Sequence, residues 1–176
     1  LLEINDGIAK IAIQGVLSRK GPSLIDLLFG FNGTSYAEII DAVNTVAADS
    51  KITKVILAMD TPGGEAQGVE DVAQAVAQLA GKKEVVAENQ GLLASAGYWI
   101  ASQATRIEAI SQIALTGSIG VVLVGIDPTG FEEKTGLKRV KIVSKNAPNK
   151  QADVDTEDGI NVLQDLVDSI ERVFIA

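Results

Sequence analysis

The chain has 176 residues, 47% of them hydrophobic and 22% charged, which is the make-up of a globular protein able to bury one sizeable core. Fifteen Lys+Arg against 23 Asp+Glu give a formal charge of -8, which repels phosphate backbones and excludes a general nucleic-acid binder. There is no cysteine and no histidine, so disulfides, thiolate or imidazole metal sites, the Ser-His-Asp triad and the Cys-His pair are all excluded together.

Gly7 to Leu17 alternates polar with small or apolar residues and predicts a strand. Ser18 to Gly33 mixes Gly and Pro with the apolar run LIDLLFGF and reads as a loop carrying a short apolar helix. From Thr34 the spacing turns helical: Thr34 or Ser35 can cap, Glu38 lies in the first turn, and Ile39, Ile40, Val43, Val46 and Ala47 share a face. Lys54 to Met59 is a continuous apolar run, as in a buried parallel strand, and Asp60-Thr61-Pro62-Gly63-Gly64 reads as the turn that ends it. A helix is predicted from about Glu65 to Leu79, closed by Gly81, and a short buried strand over Glu84 to Glu88. Asn89 to Ala94 leads into Ser95, followed by a helix-compatible Ala96 to Ala104. Further strands are predicted at Arg106 to Ile110, Gly120 to Val124 and Arg139 to Ser144, and an amphipathic helix capped by Thr156 runs to Ile175.

Alternating strands and helices predict an α/β fold, expected as a single domain over residues 1–176. No apolar stretch reaches the roughly 18 residues that span a bilayer, and no basic flank precedes an apolar N-terminal run. No membrane segment and no signal peptide are therefore expected, and the missing initial Met suggests a chain trimmed at one or both ends.

Three places can carry chemistry. Asp60 to Gly64 follows a buried strand, where α/β sheets bind ligands, and its two glycines can aim N–H groups into a cleft; a simple tight turn fits equally. Ser95 stands among small residues before a helix, as a nucleophile would, or as an N-cap serine would. Lys150, in the loop KNAPNK, is either a general base that needs burial or an ordinary solvated lysine. With no histidine, a hydrolase built on this chain must move its protons with Lys, Asp, Glu or Tyr.

The succession of DTPGG, ASAGYWIAS, TGSIGV and then Lys150 resembles the signal peptide peptidase A family of serine-lysine peptidases, and most of all its members from bacteriophage head-assembly gene clusters. The resemblance runs from about Gly7 to Ala176. It implies a Clp protease/crotonase-like fold of repeated β-β-α units, a mostly parallel sheet flanked by helices. It implies Ser95 as nucleophile, Lys150 as general base, Ser118 as the hydroxyl that orients the lysine, and the N–H groups of Gly64 and Ala96 as oxyanion hole with Gly63 supporting the turn. Ala96 stands where the family often has Gly, with its N–H retained, and the long KNAPNK loop leaves Lys145 as a rival base.

The implied function is a serine endopeptidase that cuts extended protein segments through an acyl-enzyme, without cofactor or metal, during phage prohead maturation or a related process. A peptide or protein substrate, self-assembly into a homo-oligomer, phage head or scaffold proteins as partners, and a cytoplasmic setting, in the bacterial host or the prohead, go with it. Two rival classes remain at this point: a crotonase-like acyl-CoA enzyme, which also uses two backbone amides on an oxyanion, and a catalytically silent scaffold or assembly protein.

Overall fold

The computed structural model describes residues 1–176, the side chain of Leu24 excepted, and the chain divides into two compact units, Leu1–Ile119 and Gly120–Ala176. Among the described residues the first unit holds all the strands: β1 (Leu2–Asn5), β2 (Ile8–Ser18), β3 (Gly33–Ser35), β4 (Lys54–Gly64), β5 (Glu84–Ala94), β6 (Arg106–Ala109) and β7 (Leu115–Gly117). Its helices are α1 (Leu24–Leu28), α2 (Tyr36–Ala48), α3 (Val69–Ala80) and α4 (Ala96–Ser102). The second unit holds α5 (Thr129–Thr135) and α6 (Glu157–Ile175).

The strands form one sheet in the order β1-β2-β4-β5-β6, with β3 beside the end of β2 and β7 beside the end of β5. Only the β1–β2 pair is antiparallel. The class is α/β with a mostly parallel sheet. Parallel pairing aligns successive buried rows: Ala9, Val55 and Val85, then Ile11, Leu57 and Ala87, then Ile13, Met59 and Asn89. Each Val, Ile, Leu or Met side chain in these rows contributes on the order of 1.5–3 kcal/mol when fully buried. The helices α2, α3 and α4 pack against the sheet, and α2 sends in Tyr36, Ile39, Ala42, Val43 and Val46.

The caps follow the sequence closely. Ser35 is the N-cap of α2: its hydroxyl accepts the Glu38 N–H at 3.2 Å, and the Glu38 carboxylate in turn accepts the Ser35 N–H at 3.1 Å. The carbonyls at the other end of α2 are met by Lys83, whose Nζ donates to the oxygens of Val46 and Asp49 at 2.7 and 2.5 Å. Thr156 caps α6 by accepting the Gly159 N–H at 3.1 Å.

Several elements differ from expectation. Asp60–Gly64 is no turn: β4 continues through it, with a register shift against β5 between Met59 and Thr61. β5 likewise runs on to Ala94, and α3 starts only at Val69, after a left-handed Gly68. The strands expected at Gly120 to Val124 and Arg139 to Ser144 do not form. Neither segment pairs with a neighbouring strand, and Val122, Val124 and Ile142 stay 84%, 85% and 89% exposed; alternation alone cannot satisfy a strand's hydrogen bonds. No helix of the described residues is long and apolar enough to cross a membrane.

Replacing Ser35 by Ala should lower stability by about 1 kcal/mol near neutral pH. The Ser35 hydroxyl and then its backbone N–H hold the Glu38 carboxyl below the ordinary glutamate range. The stabilisation from this depressed group is therefore complete above the unfolded glutamate value and is lost as pH falls through the folded one. Urea unfolding of wild type and Ser35→Ala should thus show a stability gap that narrows in strong acid; a gap that widens on acidification would contradict the reciprocal cap.

Candidate active site

The end of β5 meets the end of β4 at the point where both run into turns. Ser95 follows β5 directly and occupies a left-handed backbone conformation, φ 52° and ψ -124°. Such a conformation costs a non-glycine residue on the order of 1–3 kcal/mol and persists only where its surroundings enforce it. Here they do. The Ser95 N–H donates to the Gly117 oxygen at 3.0 Å, and its carbonyl accepts the Trp99 N–H at 2.9 Å, locking it to β7 on one side and to α4 on the other. Ser95 occupies the N-cap position of α4, yet its side chain makes no capping hydrogen bond. Ser95 therefore stands at the N-cap without capping, and the hydroxyl of this half-buried residue is not spent on the helix.

Against it lies the glycine pair. A methyl group on Gly63 would stand 2.6 Å from Ser95 Cβ and 2.9 Å from both the Ala94 oxygen and the Ala96 nitrogen. Only a residue without a side chain fits there, and φ 97° adds the same requirement. Gly64 is pressed equally closely onto the Leu17 carbonyl, and Gly97 onto the Thr61 methyl. Ala96 opens α4, so its N–H has no acceptor within the helix. Ser95, Gly63 and Ala96 thus lie together, a serine beside a glycine backbone and a helix-start amide, while Gly64 lies against Leu17.

Ser118 joins them through sheet register. β7 pairs with β5 so that Ala94 faces Gly117, and the next residue on each chain is Ser95 and Ser118. Both have left-handed φ, 52° and 57°. Beyond the glycine-bearing end of β4 an open groove of about 840 Å³ is lined by Ser18 to Gly21 and Glu65 to Gln67.

Lys150 and Lys145 belong to the second unit and are exposed. Their loop is two successive turns, Ala147 N–H to the Ser144 oxygen and Lys150 N–H to the Ala147 oxygen, followed by Gln151 at φ 60°. Charge ties the flanks of this loop together: Lys141 meets Asp153 at 2.6 Å and donates to the Gln151 carbonyl, and Arg139 meets Asp155 at 2.6 Å.

Three supporting residues went unread in the sequence. Thr61 donates its hydroxyl proton to the Gly15 oxygen at 2.6 Å and accepts the Gly63 N–H at 3.0 Å; the two-residue spacing is that of a threonine turn and was available as a signal. Asp60 accepts the Leu92 N–H at 3.1 Å where the register shift breaks the β4–β5 ladder, a long-range role without local trace. Tyr36 donates to the Glu65 oxygen at 2.5 Å; burial, and then the Glu65 charge, push its phenol well above the ordinary range, so it remains a donor.

The model of peptidase family S49 matches residues 77–176, which include Ser95, Ser118, Lys145 and Lys150. The capsid assembly protease C of Escherichia phage lambda is 33% identical over 81% of this chain and 31% of its own length. The chloroplastic serine protease SPPA of Arabidopsis thaliana is 33% identical over 78% of this chain and 20% of its own. The chain therefore spans a third or less of the length of these relatives. A solved enoyl-CoA hydratase/isomerase family member aligns over 62% of this chain and 46% of its own, with 21% identity and a TM-score of 0.49.

Thr61→Val keeps the methyl that packs on Gly97 but leaves the half-buried Gly15 carbonyl and the buried Gly63 N–H without the hydroxyl, and should cost about 1–3 kcal/mol. Thr61→Ser should recover most of it. Urea unfolding of the three proteins decides, and a Val variant as stable as wild type would show that the hydroxyl does not hold the turn.

Proposed function

The chain belongs to peptidase family S49, and on that premise we propose that it is a serine peptidase with Ser95 as nucleophile and Lys150 as general base. The observation that carries this reading is Ser95 itself: a serine in a strained backbone, its hydroxyl free of the helix it precedes, pressed against Gly63 and the Ala96 amide. Ser95 Oγ attacks the scissile carbonyl while Lys150 Nζ takes its proton. The oxyanion is met by the N–H groups of Gly64 and Ala96, an arrangement that typically supplies a few kcal/mol. The C–N bond then breaks, the lysine returns the proton to the leaving amine, and a water deprotonated by the same lysine releases the acyl group from Ser95. Ser118 hydrogen-bonds the lysine and fixes its direction. No cofactor or metal takes part.

The substrate is a protein segment in extended form with small or apolar residues near the cut. The open groove of about 840 Å³ that begins at Glu65, next to Gly64, is where we place it. The lambda relative is named for capsid assembly, and we extend that setting to this chain: head or scaffold proteins as substrates, in the host cytoplasm or the prohead, with both units acting as one peptidase domain.

A lysine accepts a proton only in its neutral form, which burial favours, and Lys150 is exposed in the single chain. Self-assembly would supply that burial. It would also cover Ile25, Leu27, Leu28, Phe29 and Phe31 around α1, all exposed. The active species is then a closed homo-oligomer.

Ser95→Ala should abolish peptide-ester and casein turnover without loss of folding. Lys150→Ala should be as inactive, while Lys145→Ala keeps substantial activity, because members of one catalytic unit are non-additive. Turnover surviving in Ser95→Ala sinks the assignment, and the reverse lysine pattern moves the base to Lys145. Mass spectrometry of candidate head proteins incubated with wild type or Ser95→Ala identifies the cut.

Light scattering and turnover across a dilution series test the assembly, since mass and specific activity should fall together on dilution. A fully active monomer at every concentration would refute it.

A further inference from the structure

Asn89 interrupts an otherwise apolar buried row. Sheet register sets it level with Ile13 and Met59, and like them it is 0% exposed. A valine or leucine would continue the row; an amide is costly there unless every polar atom is matched. Its partners all lie at one place. Nδ2 donates to the Leu115 oxygen and to Thr116 Oγ1, both at 2.8 Å, and Oδ1 accepts the Gly91 N–H at 2.9 Å. Its own carbonyl accepts the Ile110 N–H at 3.1 Å, where β6 leaves the sheet.

This is the fork of the sheet. β5 pairs with β6 up to Asn89 and with β7 from Leu92, so the side chain of Asn89 spans the gap between two partners of one strand. β7 is three residues long, and its leading residue Leu115 is exposed. Little apolar burial holds this strand. What it carries is the Gly117 carbonyl that fixes the Ser95 N–H, and then Ser118.

We infer that Asn89 is a positioning residue for catalysis: by clamping Leu115 and Thr116 from beneath, it sets β7 so that Gly117 holds the strained Ser95 and Ser118 stands beside it. This rests on the peptidase reading of Ser95. Asn89 touches neither substrate nor reacting atoms and acts only through β7.

The test uses Asn89→Leu, which restores the apolar row, and Asn89→Asp, which keeps the shape and the acceptor but loses both donors. In both, kcat on a peptide ester should fall at least about tenfold with KM nearly constant, because the loss is of alignment and not of binding. Hydrogen exchange should speed up at residues 115–118 and Ser95 while β2 and β4 stay protected. Combined with Ser118→Ala, the loss should fall short of the product of the single losses by about fivefold or more, since both act through one strand. Folded variants with unchanged kcat, or losses that multiply fully, overturn the inference while Ser95-dependent turnover of the wild type stands. Should Asn89→Leu fail to fold, the Asp variant decides alone. A wild type without Ser95-dependent turnover removes the peptidase reading and the inference with it.

Discussion

The arrangement depends on one close approach, that of the Gly63 backbone to Ser95. It exists because β4 and β5 are parallel neighbours that end side by side, and because the register shift after Met59 turns the end of β4 toward the end of β5. Side chains are excluded from the contact, so the glycine is a steric necessity. Each surrounding polar group can be read as holding that contact in place. Thr61 ties the end of β4 to β2, Asp60 replaces the ladder bond that the shift removes, and Tyr36 fixes the carbonyl just beyond Gly64.

The strain at Ser95 follows from the same constraint. A serine with φ 52° would relax if its neighbours allowed it. On the helix side, Trp99 and Ile100 anchor α4 in the core; on the sheet side, Gly117 holds the N–H. The core therefore supplies the free energy that keeps the hydroxyl out of the capping geometry. A relaxed N-cap serine would give its oxygen to the helix, and the proposed nucleophile would be lost.

The sequence announced what is local. Ser35 with Glu38, Thr156 before α6 and the apolar run Lys54 to Met59 each carry their signal within a few residues, and each element lies where expected. Ser95 was legible as a candidate but not its strain, which long-range contacts impose. Pro62 and two glycines read as a turn because those residues break strands in isolation; at a register shift with an exposed Pro62 they are tolerated inside β4. Gly120 to Val124 failed for the opposite reason, a good strand pattern without a partner. Asn89 carries no local signal, since whether an asparagine lies in a row with Ile13 and Met59 is decided by register. Nothing near Lys145 or Lys150 separates the two, because what distinguishes a base from a surface lysine is burial by distant residues.

The two units differ in how firmly they can hold their proposed contributions. In the first, rows of fully buried aliphatics surround the elements that present Ser95. In the second, α6 buries only Gly159 among the described residues, and the lysine-bearing loop is flanked by exposed ion pairs of Arg139 and Lys141 with Asp153 and Asp155. Exposed pairs of this kind contribute about 0–1 kcal/mol each and weaken with salt. Local stability follows buried apolar contact, so the segment with the proposed base is the one most readily reordered by what it meets. For that lysine to serve as the base, its burial would then have to come from outside its own unit. For the proposed dyad, a rigidly held Ser95 combined with a Lys150 completed by contact is the physical ground for expecting activity to accompany assembly.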